Sequence, residues 1–250
     1  MTKSSSAAEW RVTAGLLVLS AVPVIAGASR VAELASGAEA TPANARFLAV
    51  PLPVVVHIIS ASLFCLLGAL QFHRGLRRRR PRWHRIAGRV LVPCGLAAAG
   101  TGLWMTLYYP LPAGDGARFG ALGLARLGFG TVMAVAIVLS FLAIRRRDIV
   151  RHRAWMIRAY AIGLGAGTQV LTHVPWVLVA GQPGTGTRAV LMIAGWVINV
   201  VLAERIIRRR PRPVRSRPGA AVDREHGAGH ERGPVAERPR RGLGDLGRIG

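Results

Sequence analysis

Six apolar stretches, each close to the length of about 20 residues that crosses about 30 Å of hydrocarbon, dominate this chain. They fall at about 12–28, 47–72, 86–109, 122–144, 154–180 and 189–207. A backbone in lipid must satisfy its own hydrogen bonds, so runs of this length are expected to be helices. Composition agrees once it is divided along the chain. Half of the 250 residues are hydrophobic (51%), yet the formal charge is +23. A soluble domain is rarely so apolar and so basic together. Here the two properties occupy alternating segments. Net charge alone would also suit a nucleic-acid binder, but no recognition motif sits among the arginines, and no nucleic-acid partner is expected.

Connector charge sets the expected orientation. The segment 73–85 carries Arg74, Arg77, Arg78, Arg79, Arg80, Arg82 and Arg85, and 145–153 adds Arg145, Arg146, Arg147, Arg151 and Arg153. The connectors of the other side hold only Arg30, Arg46, Arg118 and Arg188. By the positive-inside rule, both termini then lie in the cytoplasm. The first run, preceded by Lys3 and Arg11, could be mistaken for a cleaved signal peptide, but it is long for one. Pro23, Pro93 and Pro175 are expected to kink their helices, and Gly/Pro-rich turns at 110–116 and 181–186 separate the later spans.

The reading is an all-α, polytopic transmembrane bundle of about six helices over residues 1–207. It is embedded in the cell membrane, with anionic phospholipid as a partner at its cytoplasmic face. A basic cytoplasmic tail, 208–250, is too poor in apolar residues to offset its chain entropy and is expected to be disordered. Cys65 and Cys94 fall inside apolar runs and read as packing residues.

Polar groups inside a span are costly, so each is a candidate site residue. These are His57, Gln71, Arg89, Arg126, Gln169, His173 and Asn199, with His73, His84, His152 and Arg158 at or near span ends. At about 100° per residue, His57, Ala61, Phe64, Gly68 and Gln71 share one face of the second helix. His73 points away, toward the headgroups. A broad stripe of the fifth helix holds His152, Ala159, Gly163, Ala166, Val170 and His173. Gly163, Gly165 and Gly167 thin that helix for a neighbour or a flat cofactor.

Counting about 1.5 Å per residue, His57 and His173 lie at matching depths, roughly 10–15 Å below the outer surface. Such a pair can ligate one b-type haem from both sides, with Arg126 facing its propionates. His84 and His152 would hold a second haem near the cytoplasmic boundary. The competing reading is plain interhelical hydrogen bonding, which is the expectation for Asn199 and Gln169. No C-x-x-C-H motif is present. The spans hold no histidines at i, i+4 and no acid near His57 or His173, which argues against a metallohydrolase. His226 and His230 have that spacing, but in a Gly-rich stretch. Asp115 and Asp148 lie in connectors without a Ser-His-Asp pattern.

Two segments carry a resemblance. Residues 68–89 read GALQFHRGLRRRRPRWHRIAGR, and residues 147–160 read RDIVRHRAWMIRAY. With His57, they resemble a bacterial family of predicted membrane proteins, domain of unknown function 2306, over about 57–181. The resemblance implies a multi-pass fold and no particular activity. It draws attention to His57, Gln71, Arg82, His84, Arg85, Gly88, Arg89, His152, Arg153, Trp155, Met156 and Arg158. His84, Arg85 and Arg89 open the third helix, and His152, Arg153 and Arg158 open the fifth. Together they could form a basic pocket for an anionic headgroup or a quinone-like carbonyl, or serve topology alone. The functions in view are a redox-type protein with a haem core, a transporter or lipid-binding protein using that pocket, and an accessory subunit.

Overall fold

The structure is a computed structural model that describes residues 3–112 and 114–209. Every regular element among them is a helix: α1 (Lys3–Ala35), α2 (Ala45–Ala49), α3 (Pro51–Gln71), α4 (Arg74–Arg79), α5 (Pro81–Tyr108), α6 (Ala121–Arg145), α7 (Ile149–Gly163), α8 (Gly165–Ala180) and α9 (Thr185–Arg208). Five of these are long and apolar enough to cross a membrane, and there are six such spans if the bent pair α7–α8 is counted as one. The tail expected from residue 208, with His226 and His230, lies from residue 210 onward outside the described residues.

Local signals account for several helix starts. Proline occupies the first turn of α3 and of α5, where its missing N–H costs nothing. The Asp148 carboxylate caps α7 by accepting from the Arg151 N–H at 3.0 Å. His73 departs from expectation. It is buried and caps α4, its Nδ1 accepting from the Leu76 N–H at 2.9 Å. The helices also outrun the apolar stretches at most ends, because a helix continues until a cap or turn stops it, not until hydropathy falls. Pro23, Pro93 and Pro175 all stay inside continuous helices.

The bundle is apolar outside, and inside it small residues stand among larger buried ones such as Phe64, Ile137 and Tyr160. Leu52, Val150, Leu178 and Val179 stand exposed, Val179 at 90%. Ala69, Ala136, Ala159 and Ser140 are fully buried. In water so much exposed aliphatic surface would aggregate; in a bilayer it faces acyl chains, while small residues let helices approach closely. Around the perimeter, α1 packs on α3, α3 on α5, α5 on α6, α6 on α9, α9 on α8, and α8 on α1. α7 packs against α3, α6 and α9 and fills the axis of one half.

Contacts group the helix ends. Trp10 of α1 meets His73 after α3, with ring centroids 4.6 Å apart. Arg158 of α7 meets Glu204 near the end of α9, Nε to Oε1 at 2.5 Å. The start of α1 thus lies at the turn after α3, and Gln71 with His84 and Ser140 with His152 bring the ends of α3 and α6 to the starts of α5 and α7, at the arginine-rich end. At the opposite end the Tyr109 hydroxyl donates to the Val50 carbonyl at 2.6 Å.

Candidate functional site: a cavity beside a broken helix

The fifth span is not one straight helix. α7 ends at Gly163, α8 begins at Gly165, and the two are bent by 40°. The break falls among glycines, not at a proline, and neighbours press closely on those glycines. A Cβ on Gly165 would collide with the Trp196 indole nitrogen, and one on Gly167 with the Leu19 carbonyl oxygen. One on Gly163 would come within 2.9 Å of Phe64 Cε1. Backbone groups freed by a break in lipid must find partners within the protein, and they do. Asn199 Nδ2 donates to the Ala161 carbonyl at 3.0 Å, while Asn199 Oδ1 accepts from Thr168 at 2.8 Å. The Cys65 thiol points at the Gly163 carbonyl at 3.5 Å. Gln169 Nε2 donates to the Met192 carbonyl at 3.0 Å. Asn199 and Gln169 are thus interhelical hydrogen-bonding residues.

Beyond the bend, α8 moves to the perimeter against α9 and α1. The axis that α7 filled is left open there as a cavity of about 490 Å³. Its wall is largely apolar, with Phe64, Phe129, Met133 and Trp196, and it includes Gly163 and Gly167 at the break. His57 stands on this wall. Its Nδ1 lies 2.9 Å from the Ala98 carbonyl. A carbonyl only accepts, so Nδ1 carries a proton, and in the neutral ring the lone pair would then sit on Nε2, for which no hydrogen bond is found among the described residues. Gly102 makes room for the ring: a Cβ there would lie 3.3 Å from His57 Cε1.

The cavity reaches the end opposite the arginine-rich connectors, where Arg46, Tyr109, Pro110 and Arg126 line it. Asp115 organises that end. Its side chain is 1% exposed, with Oδ2 at 2.6 Å from Arg126 and Oδ1 at 2.7 Å from Arg188. Burial alone would raise its pKa, but hydrogen bonds from the two guanidiniums outweigh this and hold it below the ordinary carboxylate value. Arg118 donates to the carbonyls of Thr106 at 2.6 Å and Tyr109 at 3.0 Å. Sequence reasoning left Asp115 without a partner, since its arginines lie 11 and 73 residues away. It also passed over Arg46, counted only as connector charge. Burial, with Arg126 and Arg30 nearby, lowers the Arg46 pKa from the ordinary arginine value, Asp115 opposing the change.

The structure brings together His57 and Arg126, but His173 is not among the residues lining their cavity. Its Nδ1 donates to the Gln169 carbonyl of its own helix at 2.9 Å, and its Nε2 is buried without a partner. A stripe drawn for a straight fifth helix does not survive the bend. At the arginine-rich end, His84 and His152 lie within electrostatic reach of each other. His152 Nδ1 is held by the Ser140 hydroxyl at 2.8 Å and the Ser140 carbonyl at 3.0 Å. Gln71 Nε2 donates to the His84 carbonyl at 3.4 Å, and Gln71 Oε1 and His84 Nδ1 are buried without partners. Arg158 bridges to Glu204 and lies over the Trp155 ring at 4.7 Å. Arg89 and Arg153 are exposed.

An all-helical bundle of five or six apolar spans, lipid-facing outside and hydrogen-bonded within, defines a multi-pass membrane protein. A family model described as predicted membrane protein (DUF2306), a domain of unknown function, matches residues 54–207, and the chain belongs to that family. The match covers α3 through nearly all of α9 and leaves α1, α2 and Arg46 outside it. No curated protein and no solved structure matches the chain.

Proposed function

We propose that this is a redox-type protein of the cell membrane that holds a flat, lipid-soluble cofactor in the cavity, b-type haem being the form we favour. The observation that carries the reading is His57: it lines an apolar cavity, and its Nδ1–H is tied to the Ala98 carbonyl, which leaves Nε2 as the nitrogen available to a ligand. A histidine whose second nitrogen is fixed in this way is oriented as an axial ligand. The cavity volume falls within the range of about 300–1,000 Å³ typical of cofactor sites. Arg126, bonded to Asp115, lines the same wall at the end where the propionates would lie. His173 lies off that wall, so the reading takes His57 as the one histidine ligand there. By charge bias, the arginine-rich end and both termini are cytoplasmic.

The optical spectrum of detergent-extracted protein tests this. Reduced haem bands that vanish in His57→Ala and persist in His173→Ala are expected. A featureless spectrum after expression with ample haem supply, unchanged by His57→Ala, ends the proposal.

A second reading draws on the partnerless Gln71 Oε1 and His84 Nδ1 at the arginine-rich end. Buried polar atoms usually have partners, and two orphans beside His152 suit a bound lipid headgroup or a transported anion. That reading predicts thermal stabilisation by phosphatidylglycerol that is lost in His152→Ala and in Arg158→Ala.

A further inference from the structure

We infer that the cavity takes its ligand as an amphipathic anion, with Arg46 receiving a carboxylate or phosphate head and the apolar wall receiving the body. The inference rests on reading the cavity as a ligand site, and not on haem in particular. Its basis is the inventory of cations at that end. Arg30 is paired with Glu33. Arg118 is spent on two backbone carbonyls. Arg126 and Arg188 take one oxygen each of Asp115.

Arg46 differs from all four. It is half-buried and on the cavity wall, yet among the described residues it has no carboxylate within 4 Å and no hydrogen bond. Its close partner is the Phe47 ring, 4.5 Å away and shared with Arg30. Three guanidiniums (Arg46, Arg126, Arg188) thus gather around one carboxylate whose two oxygens are already engaged. A partly buried cation whose nearest counter-charge, Asp115, is already bonded to two other guanidiniums is incompletely compensated, and an entering anion supplies what the protein omits. A neutral quinone or hydrocarbon would leave the cost in place. The same chemistry, an acid group on an apolar body, is offered by a fatty acid and by the propionates of a porphyrin.

The experiment compares each acid with its ester on the full-length protein in maltoside detergent. The probes are cis-parinaric acid against its methyl ester, and haemin against haemin dimethyl ester. Binding is read as energy transfer from tryptophan, Trp196 being on the cavity wall. At least one acid is expected to bind about tenfold more tightly than its ester, the scale of one charge-assisted pair. Arg46→Gln should bring that acid to the level of the ester and leave the ester unchanged, and Arg46→Lys should restore part of the preference. Which pair shows the preference names the source, lipid or porphyrin. Because Arg46 makes no hydrogen bond or close ion pair among the described residues, Arg46→Gln should shift the melting temperature little, and that measurement separates a binding loss from a folding loss. Equal binding of acid and ester in both pairs, or a preference that survives Arg46→Gln, overturns the inference and leaves the cavity reading standing. Binding of none of the four probes overturns both.

Discussion

Arg77, Arg78, Arg79 and Arg80 stand exposed after α3, as do Arg145, Arg146 and Arg147 after α6. At the other end of the bundle, Arg118, Arg126 and Arg188 are half-buried and committed to carbonyls or to Asp115. The same side chain does two jobs. In exposed clusters it is the charge bias on which the proposed orientation rests. Singly, and with its charge met, it ties a loop to helices. The two halves also differ in packing. In the arginine-rich half, α7 fills the axis and Tyr160 packs between Phe64 and Phe72, with centroids at 5.9 and 5.0 Å. In the other half the axis is a cavity. Arginine number therefore says nothing about where the structure is held, and packing density says where a ligand has room.

Five substitutions sharpen this contrast. The largest effect is expected from Asp115→Asn, which strands two partly buried guanidiniums. It should cost about 3 kcal/mol, the low end for breaking a buried pair because both arginines keep some solvent, as read by denaturant unfolding in detergent. Its pH dependence has a definite sign. The folded pKa is lowered, so the contribution is complete above the ordinary carboxylate pKa of about 4. It is lost as pH falls from there through the depressed value. Wild type should show this acid limb and Asp115→Asn should lack it; a loss below about 0.5 kcal/mol would erase the difference between the ends.

Next come two glycines. A Cβ on Gly68 would run into the Tyr160 ring in the filled half, and Gly68→Ala should cost about 1–3 kcal/mol by overpacking. Gly102→Ala, beside the cavity, meets only the His57 ring at 3.3 Å. That ring has space to shift, so the cost should stay under about 1 kcal/mol. Equal melting temperatures for the two variants would mean that the halves are packed alike. Of similar size is Tyr160→Phe, which removes the hydroxyl's 2.8 Å bond to the Cys65 carbonyl and should cost about 1 kcal/mol. The smallest effect belongs to Arg79→Gln, under about 0.5 kcal/mol in unfolding. Replacing all the arginines of 74–85 should instead scramble reporter-fusion topology.

Much of the architecture was legible in advance. The apolar runs announce the spans, and the face His57, Phe64, Gly68, Gln71 does turn inward: His57 meets α5, Phe64 and Gly68 meet α7, and Gln71 reaches His84. That succeeds because α3 is one unbroken helix, so a constant angle per residue holds from end to end. The fifth span breaks this condition at Leu164, and the placement of His173 goes with it. Asp115 was illegible for a different reason: no local pattern ties a loop carboxylate to an arginine 73 residues away.

Local chemistry, then, settles what needs only neighbours along the chain: which stretches are helical, which lie in lipid, and which connectors share a side. Hydropathy and charge are sums over short windows, and lipid answers to those sums. The bend, the cavity beside it, the tautomer of His57 and the isolation of Arg46 were decided only when helices met. Each depends on what a distant segment places within a few ångströms, and no window along the chain contains that information.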